Sequence, residues 1–263
     1  MTRAATPAPA LSRRARAGLL VLALAGFLLA VYWQLPASLL LRFLPSPLPA
    51  PWSSSPGGLA ANGSLWQGEL LGLRAGAVPL SLRWELSPWR VLLGSLNGHA
   101  TVASRKDQLS GDFQLDFQGH GELFNLQGNF GLEQLQPAAT HPWRGQVVAD
   151  RASVVIGPAG VTDFAGNVSV LALTSPALPQ SFGDFSLEWA RGADQGRVRN
   201  LRGPVTLHAA VLPMAGGGYR LEGEATTGAD ASPALRQALA LIGVPDAAGR
   251  YRLAAEFAVS ERP

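Results

Sequence analysis

A chain of 263 residues is long enough for one large domain or two small ones with a buried core. The net charge of +3 draws on Arg3, Arg13, Arg14 and Arg16, so the remainder is close to neutral and lacks the clustered basic face of a nucleic-acid-binding surface. Cysteine is absent, which excludes disulfides, thiolate zinc sites and cysteine nucleophiles.

The basic residues fall in a tail over 1–16 whose first ten positions are rich in Ala, Pro and Thr. Residues 17–41, AGLLVLALAGFLLAVYWQLPASLLL, carry no charged side chain. An apolar run of this length exceeds what a helix needs to cross about 30 Å of hydrocarbon. Tyr32 and Trp33 stand near its far end, where amphipathic rings prefer the headgroup level. The arginines before it hold the N-terminus in the cytoplasm by the positive-inside bias, which delivers the rest to the periplasmic side of an inner membrane. A cleaved signal peptide is the alternative. It would have a shorter apolar core and a small-residue cleavage site, and no A-x-A site follows Ala30.

Residues 42–58 form a proline-rich spacer, with Pro45, Pro47, Pro49, Pro51 and Pro56 favouring an extended, stiff stalk. The β domain spans 59–263, where the period changes to two. Leu80, Leu82, Trp84 and Leu86 alternate with Ser81, Arg83 and Glu85. Phe113, Leu115 and Phe117 alternate with acids and amides, and Phe185, Leu187 and Trp189 with Ser186 and Glu188. The pattern repeats from Val205 to Val211, at Tyr219 and Leu221, and from Leu253 to Val259. Strict alternation gives each strand one apolar face. Turn sequences at Leu96–His99, Gly119–Gly121, Arg191–Gly196 and Ala215–Gly218 space the strands as hairpins. A short helical turn is expected at Pro88–Leu93. One longer helix has Ser232 as N-cap, Pro233 at its first position, Gly243 at its end, and a stripe of Leu235, Ala238, Leu239 and Ile242.

The expected fold class is mainly β: an N-terminal transmembrane helix, then a long curved antiparallel β-meander forming a groove or partly open barrel, with one short C-terminal helix capping an end of the sheet. The apolar face is covered by its own filled interior or by a ligand such as an acyl chain. Filling is the simpler reading. Phe113, Leu115, Phe117, Phe185, Leu187 and Trp189 are the candidates for that groove or core face.

No catalytic constellation is legible. His99, His120, His141 and His208 lack metal-ligand spacing, and His99 and His120 fall in turn sequences. Phosphate-loop and nucleophile-elbow motifs are missing, and Gly216–Gly218 reads as a hairpin turn because no helix follows. Asp112 and Asp116 read as solvated strand carboxylates. No cofactor is expected.

Three segments share a direction. They are Asn62–Glu69 with Gly63, Trp66 and Gly68; Leu82–Trp89 with Trp84 and Pro88, followed by Gly94; and Ala238–Tyr251 with Gly243, Pro245, Asp246, Gly249 and Arg250. In this order, behind an N-terminal anchor, they resemble the type II secretion system protein N family. That resemblance implies a non-enzymatic, inner-membrane-anchored accessory component of the machine that moves folded exoproteins from the periplasm across the outer membrane. Its partners would be other type II secretion components, with the inner membrane held through 17–41. A weaker similarity to AsmA-like envelope proteins leaves a lipid-binding groove as the alternative.

Overall fold

The computed structural model describes residues 13–42 and 52–257, except 77, 117, 136–142, 158–159, 177, 215–217 and 244. The first part of the basic tail, most of the prolines of the spacer, Phe117, His141, Gly216 and Gly217 lie outside the described residues.

Helix α1 (Arg13–Trp33) stops short of Leu41. Pro36 cannot continue a helix, and Ala37–Arg42 instead form a 3-10 turn against the sheet. Among the described residues, no helix is long and apolar enough to cross a membrane. The side chains of 13–21 and of Ala25 lie outside the described set.

The remainder is strand: β1 (Trp52–Ser54), β2 (Ala60–Gly63), β3 (Gln67–Ala75), β4 (Val78–Leu86), β5 (Ser95–Ala103), β6 (Gln108–Asp116) and β7 (Gly121–Gly131), then β8 (Arg144–Gly157), β9 (Gly160–Thr174), β10 (Gly183–Trp189), β11 (Gly196–Arg202), β12 (Val205–Pro213), β13 (Tyr219–Thr227) and β14 (Arg250–Phe257). From β3 to β14 each strand pairs antiparallel with the next, while β1 and β2 share the other edge of β3 in one 14-stranded sheet. Among the described residues the sheet is open: its first and last strands do not pair, so it is not closed into a barrel, in keeping with the expected groove or partly open form. β1 also begins inside the segment read as spacer, pairing Trp52 with Ala75.

Helix α2 (Pro88–Leu92) joins β4 to β5, α3 (Leu132–Leu135) follows β7, and α4 (Pro233–Ile242) precedes β14. Leu96–His99 is not a turn but the start of β5. Gly98 lies directly under the Phe113 ring, and a Cβ there would meet that ring at 3.1 Å. The Asn-Gly pair that reads as a hairpin serves cross-strand packing instead.

The sheet has two unlike faces. Cross-strand partners place Leu82, Val102, Leu109, Leu123, Val154, Phe164, Val168, Leu187, Val198, Ala209, Leu221 and Leu253 on one side. The other side carries exposed charge: Glu188 pairs with Arg199, and Arg220 with Glu256 at 2.7 Å. Exposed pairs contribute only about 0–1 kcal/mol each, but they mark the wet face.

The apolar face curls inward. Trp189 on β10 and Tyr219 on β13 have ring centroids 5.9 Å apart. Strands three places apart in a flat sheet are separated by about 14 Å. Bulges supply the extra coiling: register shifts accompany Asn125, Arg151 and Ala172, all at positive φ near 50° in the central strands.

Burial concentrates in three places. Phe182, Val205, Ala225, Tyr251 and Leu253 pack with Leu235 and Leu239 of α4. Leu73, Ala75, Leu80 and Phe130 pack at the same end, farther along the sheet. Ala37, Leu70 and Trp84 pack where the 3-10 turn meets β3 and β4. Helix α4 thus caps one end of the sheet as expected, its Ser232 Oγ accepting from Leu235 N at 3.2 Å.

Candidate interaction surface

Gly63, Trp66, Gly68, Trp84 and Pro88 converge on one structure: a clasp around the C-terminal end of α1. Trp84 Nε1 donates to Leu65 O at 3.0 Å, and Trp66 Nε1 donates to Tyr32 O at 2.8 Å. The Tyr32 and Trp66 rings stack at 4.5 Å. Tyr32 Oη donates to Pro88 O at 2.7 Å, and Leu65 N to Leu35 O at 2.6 Å. Trp66 and Trp84 are buried. Both indole N–H groups therefore find acceptors, as buried tryptophans require.

Two glycines make the clasp possible. Gly63 holds φ +92°, which disfavours any side chain. Gly68 lies under Trp84, and a Cβ would meet both Asn62 O and Trp84 Cζ2 at 2.6 Å. Gly94 ends the α2 connection at φ +87°.

The C-terminal motif forms a second, separate clasp at the opposite end of the sheet. Asp246 Oδ1 accepts from Ala248 N and Arg250 N at 2.9 Å each. Its Oδ2 takes Arg250 Nε and Nη2, both at 2.9 Å. Gly249 supplies the positive φ, +74°, that this turn needs. The Arg250 N–H foremost, aided by that of Ala248 and the guanidinium, holds the Asp246 carboxyl below the usual carboxylate range. Pro245 bridges to Tyr251 and covers the first part of the β14 edge. Gly243 closes α4 in an extended conformation, φ −153°, rather than left-handed. It is glycine because the chain passes directly against the Arg252 carbonyl.

The groove candidates share one face but not one environment. Trp189 is buried, donating Nε1 to Ala193 O at 2.9 Å, with Phe164 at 6.2 Å. Phe185 packs against the α4 cluster. Phe113 and Leu187 are half-buried, and Leu115 is 39% exposed. Several large side chains lie flat over a neighbouring glycine: Phe113 over Gly98, Leu126 over Gly111, Leu115 over Gly121 and Trp189 over Gly196. Burial is deep within the three clusters, whereas Phe113 and Leu187, and still more Leu115, are only partly covered.

On the wet face His99 is a strand residue, with Nδ1 2.8 Å from Asp112 Oδ1, while Asn125 Nδ2 donates to Asp112 Oδ2 at 2.8 Å. These contacts, Asn125 first, lower the Asp112 carboxyl pKa. Both carboxylate oxygens are engaged on an exposed surface, which suits pinning a bulge rather than acid–base work. Among the described residues, no group of three or more acids and histidines is placed to hold a metal.

Leu35 and Ala37 join the site although no motif in the sequence singles them out. Ala37 is the more buried of the two, 1% exposed beneath Trp84, and the helix-breaking Pro36 was the available signal. Trp89 lies 55% exposed, its ring 5.7 Å from Trp33.

Comparison with curated proteins and with solved structures gave no match. The family model for the type II secretion system (T2SS), protein N, matches residues 60–254. The matched span runs from the first residue of β2 into β14, so it takes in the strand residues of the first clasp, the whole second clasp and the sheet between them, while α1 lies outside it. The chain therefore belongs to the type II secretion system protein N family.

Proposed function

We propose that this protein is a non-enzymatic accessory component of type II secretion, anchored in the inner membrane through the helical part, 17–33, of the apolar run 17–41. Its basic tail lies in the cytoplasm and its sheet in the periplasm, where it contributes to export of folded exoproteins across the outer membrane. The observation that carries this reading is the family match across the sheet. Supporting it, described α1 side chains are apolar and exposed, among them Leu22, Leu24, Phe27 and Leu28. Partner contact is assigned to the β14 edge beyond Arg252, which no strand pairs among the described residues. An unpaired strand edge offers backbone donors and acceptors to a partner strand.

The test is photo-crosslinking in intact cells with probes at Ala254 and Glu256. Adducts to other secretion components are expected. A folded protein that yields no adduct to them at either position counts against this edge as the contact. Alkaline phosphatase fused after Phe257 should be active, and inactivity would overturn the periplasmic placement.

The partial cover of Phe113 and Leu187 on the apolar face favours a second reading, an acyl chain seated between them. A probe at Leu187 that captures lipid in place of protein would favour it.

A further inference from the structure

The proline-rich segment suggests a stalk that lifts the sheet off the bilayer, but the clasp fixes the end of α1 directly on the sheet. Trp66 and Pro88 hold Tyr32 by hydrogen bonds of 2.8 and 2.7 Å, and Leu35 O accepts from Leu65 N. No free length of chain separates the helix from β3 and β4.

The register shows which end of the sheet this is. Leu86 ends β4 beside Gly98, Ser95 pairs Asp116, and Gly121 pairs both Leu115 and Ile156. The β6–β7 and β8–β9 turns therefore share a rim with α2. Capping helix α4 sits at the opposite end, near the β11–β12 turn.

At that rim α2 points apolar side chains outward. Leu92 is 62% and Leu93 79% exposed, alongside Trp89 and Trp33 at 55% and 48%. Arg90 stands exposed in the same turn. This patch meets the exposed apolar surface of α1 at the Trp33–Trp89 contact, where the ring centroids are 5.7 Å apart. Indole rings beside leucines, with one arginine for phosphate, match the chemistry of a bilayer interface.

We propose that the α2 rim is a bilayer-docking surface, with Trp89, Leu92 and Leu93 seated in the headgroup region of the membrane that α1 enters. This rests on the anchor reading given above. Docking sets the sheet's open end against the lipid surface and its α4-capped end away from it.

The chain has no cysteine, so single labels are clean. Full-length Leu28→Cys, Leu93→Cys and Lys106→Cys variants, nitroxide-labelled in phosphatidylethanolamine–phosphatidylglycerol vesicles, would be compared for collision with oxygen and with a water-soluble nickel chelate. Lys106 lies in the β5–β6 turn at the far rim and serves as the aqueous reference. Docking predicts oxygen-rich, nickel-poor environments at both Leu28 and Leu93, with nickel collision severalfold below that at Lys106. If Leu28 is lipid-exposed and Leu93 is as nickel-accessible as Lys106, docking is overturned and the anchor stands. A water-exposed Leu28 overturns the anchor and the docking together. A Leu93 label shielded from both reagents marks a protein contact, a second copy or another chain, and also overturns docking.

Discussion

Asp246 and Gly68 show how single residues hold this fold. Every hydrogen bond to Asp246 favours its ionised form, so its folded pKa is depressed. A depressed carboxylate stabilises fully above its unfolded pKa, about 3.9, and loses that contribution as pH falls through the folded value. The turn at 246–250 should stay intact down to about pH 4 and loosen below it. Amide exchange at Ala248 and Arg250 reads this directly. Asp246→Asn should give low protection factors at both amides whatever the pH, and unchanged protection would remove Asp246 as the organiser. At Gly68 an added methyl meets a backbone carbonyl, which has little room to yield. Gly68→Ala should cost about 1–3 kcal/mol in urea unfolding, the range for overpacking. A smaller effect would mean that β2 and β3 separate readily.

At the scale of elements, α4 and the α1 tip are held by different means. Helix α4 rests on burial and a cap: Leu235 is fully buried and Ser232 satisfies one open N–H. Leu235→Ala should cost about 2–5 kcal/mol and Ser232→Ala about 1 kcal/mol by the same measurement. The α1 tip rests on one indole donor, Trp66 Nε1, with the Tyr32 hydroxyl donating to Pro88 O. Trp66→Phe keeps the ring but leaves Tyr32 O unpaired, so it should free the tip with little loss of sheet stability. Faster amide exchange at Gln34 and Leu65 alone would show it, whereas exchange rising across the whole sheet would make Trp66 a core residue. Helix α4 was legible because cap, proline and stripe are local signals. The α1 terminus was less so. Hydropathy runs through to Leu41, yet Ala37 is drawn under Trp84 by contacts with strands far along the chain.

For the whole molecule, the question is where the one-sided sheet is filled. Burial is uneven across the apolar face, so equal substitutions should have unequal effects. Leu187→Asp places a charge beside Trp189 and Gly196 within the curl, while Leu115→Asp alters a side chain already 39% exposed. A charge costs more the further it is withdrawn from water, and Leu187 is half-buried whereas Leu115 is exposed. Thermal unfolding should therefore show a large loss for Leu187→Asp and a small one for Leu115→Asp. Equal losses would mean a uniformly packed interior and would remove the ground for an acyl-chain site.

Period-two alternation, turn residues and the capped stripe of α4 are written in short windows, so the sequence by itself determined a mainly β chain with one helix at an end. It also carried the family resemblance through Trp66, Trp84 and the Asp246–Arg250 turn. Only the tertiary structure decided that the sheet stays open, that Gly98 serves packing rather than a turn, and that Tyr32 and Pro88 meet. Closure depends on twist accumulated over fourteen strands and on bulges at Asn125, Arg151 and Ala172. Cross-strand contacts depend on register, which no local pattern fixes until the partner strand is in place.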